Sequence, residues 1–262
     1  MGKVGLMHHV KHSRWYNTST RCRMSWSVCR AGYLGRKVQI MAGSVTQEVD
    51  QIFRHAVMCR VCFRGPLHLH PALIDVAQPR WIGEHYHDGL RTVIVLANPG
   101  ASKGTHDQAN RDFLRLILAY RSREGTIAEV FEHQRREIPN WGNFEAVYLT
   151  GFGLGLPNIA LANVAWCAER DDKYPARMLR ECFRQHTDPV LRVLNPHLIL
   201  LGGSGLVSFI DRIEAACPEA QIEPVLHYSH RKGHEATHNE IERVRRIIQQ
   251  AREKFTGQQG RW

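Results

Sequence analysis

Short, uninterrupted apolar runs alternate with longer segments of helical periodicity along most of this chain. Apolar residues that recur every three or four positions predict amphipathic helices. Apolar runs bounded by Gly, Pro and Asn predict strands that are buried on both faces, as in a parallel sheet. Four runs predict strands: TVIVLA at 92–97, IALANVAW at 159–166, HLILLGGSG at 197–205 and EPVLHYSH at 223–230.

The helical segments occupy the intervals between these runs. A capping box of Ser44 and Gln47 predicts the start of the first helix, and one of Thr237 and Glu240 predicts the start of the last. Residues 64–90 and 138–158, rich in Pro and Gly, predict irregular structure and a long loop. Three other segments have helical spacing: 112–120, 126–138 and 175–194. The alternation predicts an α/β fold, a three-layer α/β/α arrangement around a central, mainly parallel four-stranded sheet.

Polar or small residues follow each predicted strand where it ends. They are Asn98, Asn163, residues 202–204 and residues 227–230. In an open parallel sheet, ligands bind outside the carboxyl ends of the strands. The sequence therefore predicts a ligand site at this edge.

The positive charge is concentrated at the start of the chain. Of the net charge of +10, residues 1–40 contribute eight Lys and Arg and no acidic residue, which leaves 27 basic against 25 acidic residues in the remainder. We expect residues 1–43 to be a flexible extension, with a phosphate-gripping arm as the alternative. Residues 44–256 are predicted to form the domain, and 257–262 a tail.

No apolar run of the length that a membrane helix needs, about 18 residues, is present, and no apolar leader begins the chain. We therefore expect a cytoplasmic protein, bacterial or phage-related, that does not contact a membrane. We also expect a monomer that associates with the nucleoid through DNA.

The spacing of the cysteines points to a shared site. Cys59 and Cys62 are separated by two residues, Cys167 follows the second strand, and Cys182 lies fourteen intervening residues later. Two-plus-two cysteines in a reducing compartment suggest a metal or iron–sulfur centre. A zinc site is the alternative metal centre. The third interpretation is four unrelated buried thiols that bind no metal.

The order of these motifs resembles the uracil-DNA glycosylase superfamily. A Cys-x-x-Cys precedes a strand ending in Pro-Gly. Asn-Val-x-x-Cys, a fourth Cys, Leu-x-Pro-x-(apolar)-Gly and His-x-Ser follow. The cysteine arrangement is similar to the iron–sulfur branch, in which a 4Fe-4S cluster pins a helix and a loop near DNA. The resemblance covers about residues 46–248. It implies a cluster held by Cys59, Cys62, Cys167 and Cys182.

Two departures set this chain apart from that branch. The branch usually carries Gly-Glu-Ala-Pro-Gly where this chain has LANPG, so Ala97 takes the place of the acidic residue. The sequence Asn98-Pro-Gly instead resembles the Gly-x-Asn-Pro-Gly motif of mismatch-specific and single-strand-selective members. HYSHR at 227–231 resembles their second motif, His-Pro-Ser-Pro-Arg, with both prolines replaced. Residues 121–158 lengthen the interval between the second and third cysteines and are predicted to be an insertion near the site.

The resemblance implies a role for each strand-end residue. Asn98 would orient a water toward the anomeric carbon, and His227 would donate to the base O2 as negative charge develops. Asn163 would read the Watson–Crick edge of a flipped pyrimidine. Ala97 would leave room for a bulkier base. The remaining candidates are the phosphate contacts Gly100, Gly203, Ser204 and Ser229, and a wedge, Arg231.

These residues also have ordinary structural readings. Asn98 could be a turn residue, Asn163 a partner of buried backbone, and His227 a core histidine. The absence of a motif lysine favours a water-using, monofunctional glycosylase over a lyase. The predicted substrates are uracil or a bulky modified cytosine, such as glucosylated hydroxymethylcytosine in phage DNA. The alternative functions are a non-catalytic iron–sulfur DNA-binding module and a zinc-stapled α/β protein.

Overall fold

Four parallel strands form one sheet in a computed structural model of the chain. They are β1 (Thr92–Leu96), β2 (Ile159–Asn163), β3 (Leu198–Gly202) and β4 (Gln221–Val225), in the spatial order β2-β1-β3-β4. All residues of β1, β2 and β3 are buried, whereas most of edge strand β4 is half-buried. The structure describes residues 45–64, 67, 69–71, 75–99, 108–150, 153–170, 173–230 and 234–259.

Helices flank the sheet and confirm the predicted three-layer α/β/α class. Helix α1 packs against α2 and α6, α4 packs against α8, and α6 packs against α7. No helix in the described part of the chain combines the length and apolar character needed to cross a bilayer. The helices are α1 (Gln47–Val57), α2 (Gln108–Ser122), α3 (Ile127–Glu137), α4 (Phe144–Tyr148), α5 (Ala176–Cys182), α6 (Asp188–Leu194), α7 (Ile210–Ala216) and α8 (His234–Gln259).

An irregular segment, residues 78–83, covers the free edge of β2. The Leu161 N–H donates to the Trp81 carbonyl at 2.7 Å, and the Gly83 N–H donates to the Ile159 carbonyl at 2.8 Å. Ile82 and Ala160 form an antiparallel bridge. This pairing satisfies backbone groups that an open edge would leave exposed, and it fixes Arg80 beside the end of β2.

Several predicted boundaries differ from the observed ones. Helix α1 is capped by Thr46, whose hydroxyl accepts from the Val49 N–H at 3.2 Å, while Ser44 lies outside the described residues. The predicted cap at Thr237 is wrong, because α8 already begins at His234. Helix α8 also continues to Gln259, into the predicted tail.

The long helix predicted at 175–194 is observed as α5 and α6 joined by one π-helical turn, Phe183–Thr187. Strand β2 ends at Asn163, so it is shorter than the run predicted at 159–166. The extension predicted at 1–43 lies outside the described residues.

Candidate active site and cysteine cavity

The carboxyl ends of the four strands bring most of the predicted site residues to one edge. Asn163 is the last residue of β2 and pairs in register with Leu96 of the neighbouring β1. Neighbouring strands lie about 4.8 Å apart, so the ends of β1 and β4, with β3 between them, are about 10 Å apart. Gly100 and Arg231 lie outside the described residues. The other predicted residues at this edge are Ala97, Asn98, Gly203, Ser204, His227 and Ser229.

Backbone hydrogen bonds continue past the ends of β1 and β2. The Val164 N–H donates to the Leu96 carbonyl at 2.9 Å, and the Ala165 N–H donates to the Ala97 carbonyl at 2.8 Å. Ala97 is half-buried and packs against the core. These bonds hold the turn containing Asn98 against the chain that leads from Asn163 to Cys167.

Two glycines at the end of β3 allow close packing. A Cβ added to Gly202 would collide with the Tyr148 hydroxyl and the Leu96 side chain. Gly203 has φ of +124°, which disfavours other residues, and its N–H donates to the Val225 carbonyl at 2.9 Å. A Cβ at Gly203 would lie 3.8 Å from the His227 Cβ. The exposed Ser204 opens the following 3₁₀ turn.

The contacts of His227 define its tautomer. Its Nδ1 lies 2.7 Å from the Ser229 hydroxyl and 3.2 Å from the Ser229 backbone nitrogen. A backbone N–H can only donate, so Nδ1 accepts and the neutral ring carries its proton on Nε2. Burial, and secondarily the neighbouring His230, lowers the pKa of His227. His227 is therefore a neutral imidazole with an Nε2–H donor.

Asn163 is buried, with 1% of its surface exposed. Its Oδ1 accepts from the Nε of Arg80 at 2.8 Å, and its Nδ2 donates to the Ala162 carbonyl at 3.1 Å. The reverse orientation would set donors against donors at Arg80 and acceptors against acceptors at Ala162. The protein therefore fixes which end of the Asn163 amide is the carbonyl.

An aromatic cluster lies beside this edge, and three of its four members come from the segment predicted as a long loop. Tyr148 donates its hydroxyl proton to the Leu226 carbonyl at 2.9 Å and accepts from the Tyr228 N–H at 3.2 Å. Burial raises the pKa of Tyr148, so the phenol is neutral. The aromatic cluster comprises Trp141, Phe144, Tyr148 and Tyr228.

The aromatic cluster was missed because Pro, Gly and Asn surround it. Phe144, Val147 and Tyr148 have helical spacing, and they form the buried face of α4. This short apolar periodicity was the available signal.

The four predicted cysteine ligands line one small cavity. Cys59 and Cys62 lie in the turn after α1, Cys167 lies four residues past β2, and Cys182 ends α5. The described cysteines, which include the distant Cys217, are free thiols. The structure thus brings together three segments that are far apart in the chain.

Two hydrogen bonds involve sulfur atoms of the cavity. The Trp166 N–H donates to the Cys182 sulfur at 3.1 Å, and the Cys59 thiol donates to the Gln185 side-chain oxygen at 3.7 Å. The pKa of Cys167 is raised by its hydrogen bond to Cys62 and by burial, while the same bond lowers the pKa of Cys62. In this arrangement no three His, Cys, Asp or Glu side chains among the described residues surround a metal position.

The chemistry of the cavity nevertheless fits a thiolate-bound centre. Its donor set is four sulfurs, the set used by tetrahedral zinc and by 4Fe-4S clusters. His186 also lines the cavity, and its buried Nδ1 has no hydrogen-bond partner among the described residues. Gln185 and His186 belong to the π-helical turn, a feature common at functional sites.

The cavity and the strand-end edge share a buried connection. Thr187, the last residue of the π-helical turn, donates to the Asn163 backbone carbonyl at 2.6 Å. The Trp166 indole N–H donates to the Thr187 hydroxyl at 3.0 Å. The residues that hold Asn163 therefore lie directly beside two cysteines, Cys167 and Cys182.

Comparison of the sequence with protein-family models matched no family, and comparison with curated proteins found no match. The functional assignment therefore depends on the motifs and on the geometry of the two sites.

Proposed function

We propose that the chain is a monofunctional DNA glycosylase that flips a modified or damaged pyrimidine out of DNA and hydrolyses its N-glycosidic bond. The observation that carries this proposal is the convergence of Asn98, Asn163 and His227 at one edge of a parallel sheet. Asn98 follows β1 and His227 follows β4, so the end of β3, with Gly202 and Gly203, lies between them.

Hydrolysis replaces the sugar–base bond with a sugar–oxygen bond. The C1′–N1 bond breaks, the oxygen of a water bonds to C1′, and a proton from that water ends on the departing base. Asn98 would hold the water through its side-chain carbonyl, and position rather than basicity supplies most of its effect. The product is an abasic site.

His227 would stabilise the negative charge that develops on the base. Its Nε2–H is the donor, because Ser229 occupies Nδ1. A neutral imidazole does not transfer its proton completely to a weakly basic oxygen, so it acts as a hydrogen-bond donor. Such a donor contributes about 3 kcal/mol in comparable anion sites.

Cys59, Cys62, Cys167 and Cys182 would hold a 4Fe-4S cluster, with zinc as the rival. When bound, this group supplies a structural clamp that joins the end of α1, the loop after β2 and the end of α5. Because Thr187 and Trp166 connect the cavity to Asn163, the clamp would also support the base-reading residue.

Two substrate classes remain within this proposal: uracil, with a role in repair, and a bulky modified cytosine, with a role in defence against phage. Ala97 supports the second class, because this chain has a small side chain at the position where the iron–sulfur branch that it resembles usually has an acidic one. Residues 1–40 supply positive charge suited to a phosphate backbone.

A non-catalytic iron–sulfur DNA-binding module is the second candidate. It is favoured by the burial of Asn163 and by the engagement of both ends of its amide within the protein. Such a module would bind DNA and leave every base in place.

The test is a mass-spectrometric assay of free bases released from single-stranded and duplex DNA that carries uracil or modified cytosine. Release of a pyrimidine with equal yield of abasic sites supports the glycosylase. DNA binding without release from any substrate supports the binding module. Release from uracil DNA alone excludes the bulky-base substrate.

A further inference from the structure

Arg80 is a buried cation without a matching anion. Only 6% of its surface is exposed, and no carboxylate among the described residues lies within 4 Å of its guanidinium. Burial lowers its pKa to about 10, so Arg80 stays charged at pH 7. A buried charge without a counter-ion is destabilising unless hydrogen bonds compensate for it, so the hydrogen-bond partner of Arg80 is the informative contact.

The contacts of Arg80 concentrate on the proposed base-reading residue. Its Nε donates to the Asn163 Oδ1 at 2.8 Å, and its guanidinium lies 5.8 Å from the Trp141 ring centre. The backbone of its segment is held by the edge of β2. A guanidinium has donors only. The atom of Asn163 that faces Arg80 is therefore its carbonyl oxygen.

The order of donor and acceptor on an amide decides which pyrimidine it matches. Uracil presents a donor at N3 and an acceptor at position 4, whereas cytosine presents an acceptor at N3 and a donor at position 4. An amide free to rotate by 180° matches both bases. An amide held in one orientation matches one of them.

We propose that Arg80 is a specificity-determining positioning residue, which selects between uracil-type and cytosine-type bases by fixing the orientation of the Asn163 amide. This inference rests on the proposed glycosylase function. It adds a residue from outside the strand ends to the determinants of the substrate class.

The test compares base release from matched duplexes carrying 5-hydroxymethyluracil or 5-hydroxymethylcytosine. Arg80→Gln removes the charge but can donate to or accept from Asn163, so only the contact with the Ala162 carbonyl still favours the original amide orientation. We expect the ratio of the two rates to fall by about tenfold or more, the discrimination of one bidentate contact. Arg80→Lys keeps a donor and should retain the preference.

Arg91→Gln is the matched control. Arg91 is a half-buried arginine directly before β1, at the end of that strand opposite the proposed site. Its Nε donates to the Asn195 carbonyl at 2.6 Å. We expect its rate ratio to equal that of the wild type. Circular dichroism melts show whether each variant is folded, and Arg80→Met, which has no donor, replaces Arg80→Gln if the latter does not fold.

The outcomes separate the inference from the proposed function. An active Arg80 variant with a wild-type rate ratio overturns the inference, even if both rates fall. A wild type that releases neither base, nor any base in the wider panel, overturns the proposed function and the inference with it.

Discussion

The cysteine cavity and the strand-end edge are built in different ways. The cavity depends on four side chains of one type, gathered from the ends of two helices and from the loop after β2. The edge depends on single polar residues at or just after the ends of separate strands, two of them oriented by a neighbour. Ser229 orients His227, and Arg80 orients Asn163.

This difference determines how each region responds to a change. A centre held by four thiolates loses its stability when one ligand is removed, because metal binding and folding are coupled. An oriented residue at the edge retains its place in the sheet when its neighbour is removed. Changes to the cavity ligands should therefore alter the fold, whereas changes to the neighbours that orient Asn163 and His227 should alter chemistry and specificity.

The largest expected effect is that of Cys167→Ser. We expect nearly all bound iron to be lost and the melting temperature to fall, because the ligand next to Trp166 no longer joins β2 to α5. Iron and zinc analysis together with circular dichroism measure both effects.

Cys217→Ser is the matched control for that prediction. Cys217 is also buried, but its thiol donates to the Leu191 carbonyl at 3.5 Å outside the cavity. It should keep the full metal content. A Cys167→Ser protein with wild-type iron content would contradict the assignment of the cavity, and stoichiometric zinc in the wild type would establish the rival centre.

Tyr148→Phe tests the support of the strand-end edge. The hydroxyl bridges the Leu226 carbonyl and the Tyr228 N–H, so its removal leaves two polar groups without this partner. We expect the free energy of unfolding to fall by about 1–3 kcal/mol. Denaturant titration measures the change.

Tyr86→Phe provides the comparison, because Tyr86 is buried and makes one longer bond, 3.3 Å, to the Leu194 carbonyl. Its loss should be smaller than that of Tyr148→Phe. Equal losses of unfolding free energy in the two variants would show that the two hydrogen bonds of the Tyr148 hydroxyl stabilise the protein no more than the single bond of Tyr86.

Ser229→Ala should have a smaller effect, and only on chemistry. The variant keeps the backbone N–H that holds Nδ1 of His227 but removes the hydroxyl contact. We expect base release to slow by about fivefold, as for the loss of one hydrogen bond of about 1 kcal/mol. Single-turnover assays measure the rate, and an unchanged melting temperature confirms an intact fold.

The smallest effect is expected from pH near neutrality. The folded protein lowers the pKa of His227 below its usual value of about 6.5. The contribution of His227 to stability is therefore fully present above pH 6.5 or so, and it is lost as the pH falls through the lowered pKa. Activity that needs the neutral imidazole is lost as the same group becomes protonated. A pH–rate profile that rises on acidification would contradict a neutral His227 donor.

The sequence was sufficient to predict the sheet and the grouping of the cysteines. Buried parallel strands have short, uninterrupted apolar runs. The cysteine spacing suggested a shared site, the resemblance implied which four cysteines form it, and Cys59, Cys62, Cys167 and Cys182 line one cavity. By contrast, the aromatic cluster and Arg80 depend on how irregular segments cross the end of the sheet. Arg80 lies in a segment without periodicity, so only the pairing of residues 78–83 with β2 reveals its position.

In the proposed function, the strand-end residues carry out base release rather than DNA binding alone. Single-turnover base release, measured with DNA affinity in the same buffer, tests it most directly in the wild type and in Asn98→Ala and His227→Ala. We expect that the wild type releases a pyrimidine and that His227→Ala slows release by about 100- to 1,000-fold. We also expect a large loss of rate in Asn98→Ala and wild-type affinity in both variants. Wild-type rates in both variants, or a wild type that binds DNA and releases no base, would contradict the proposed function.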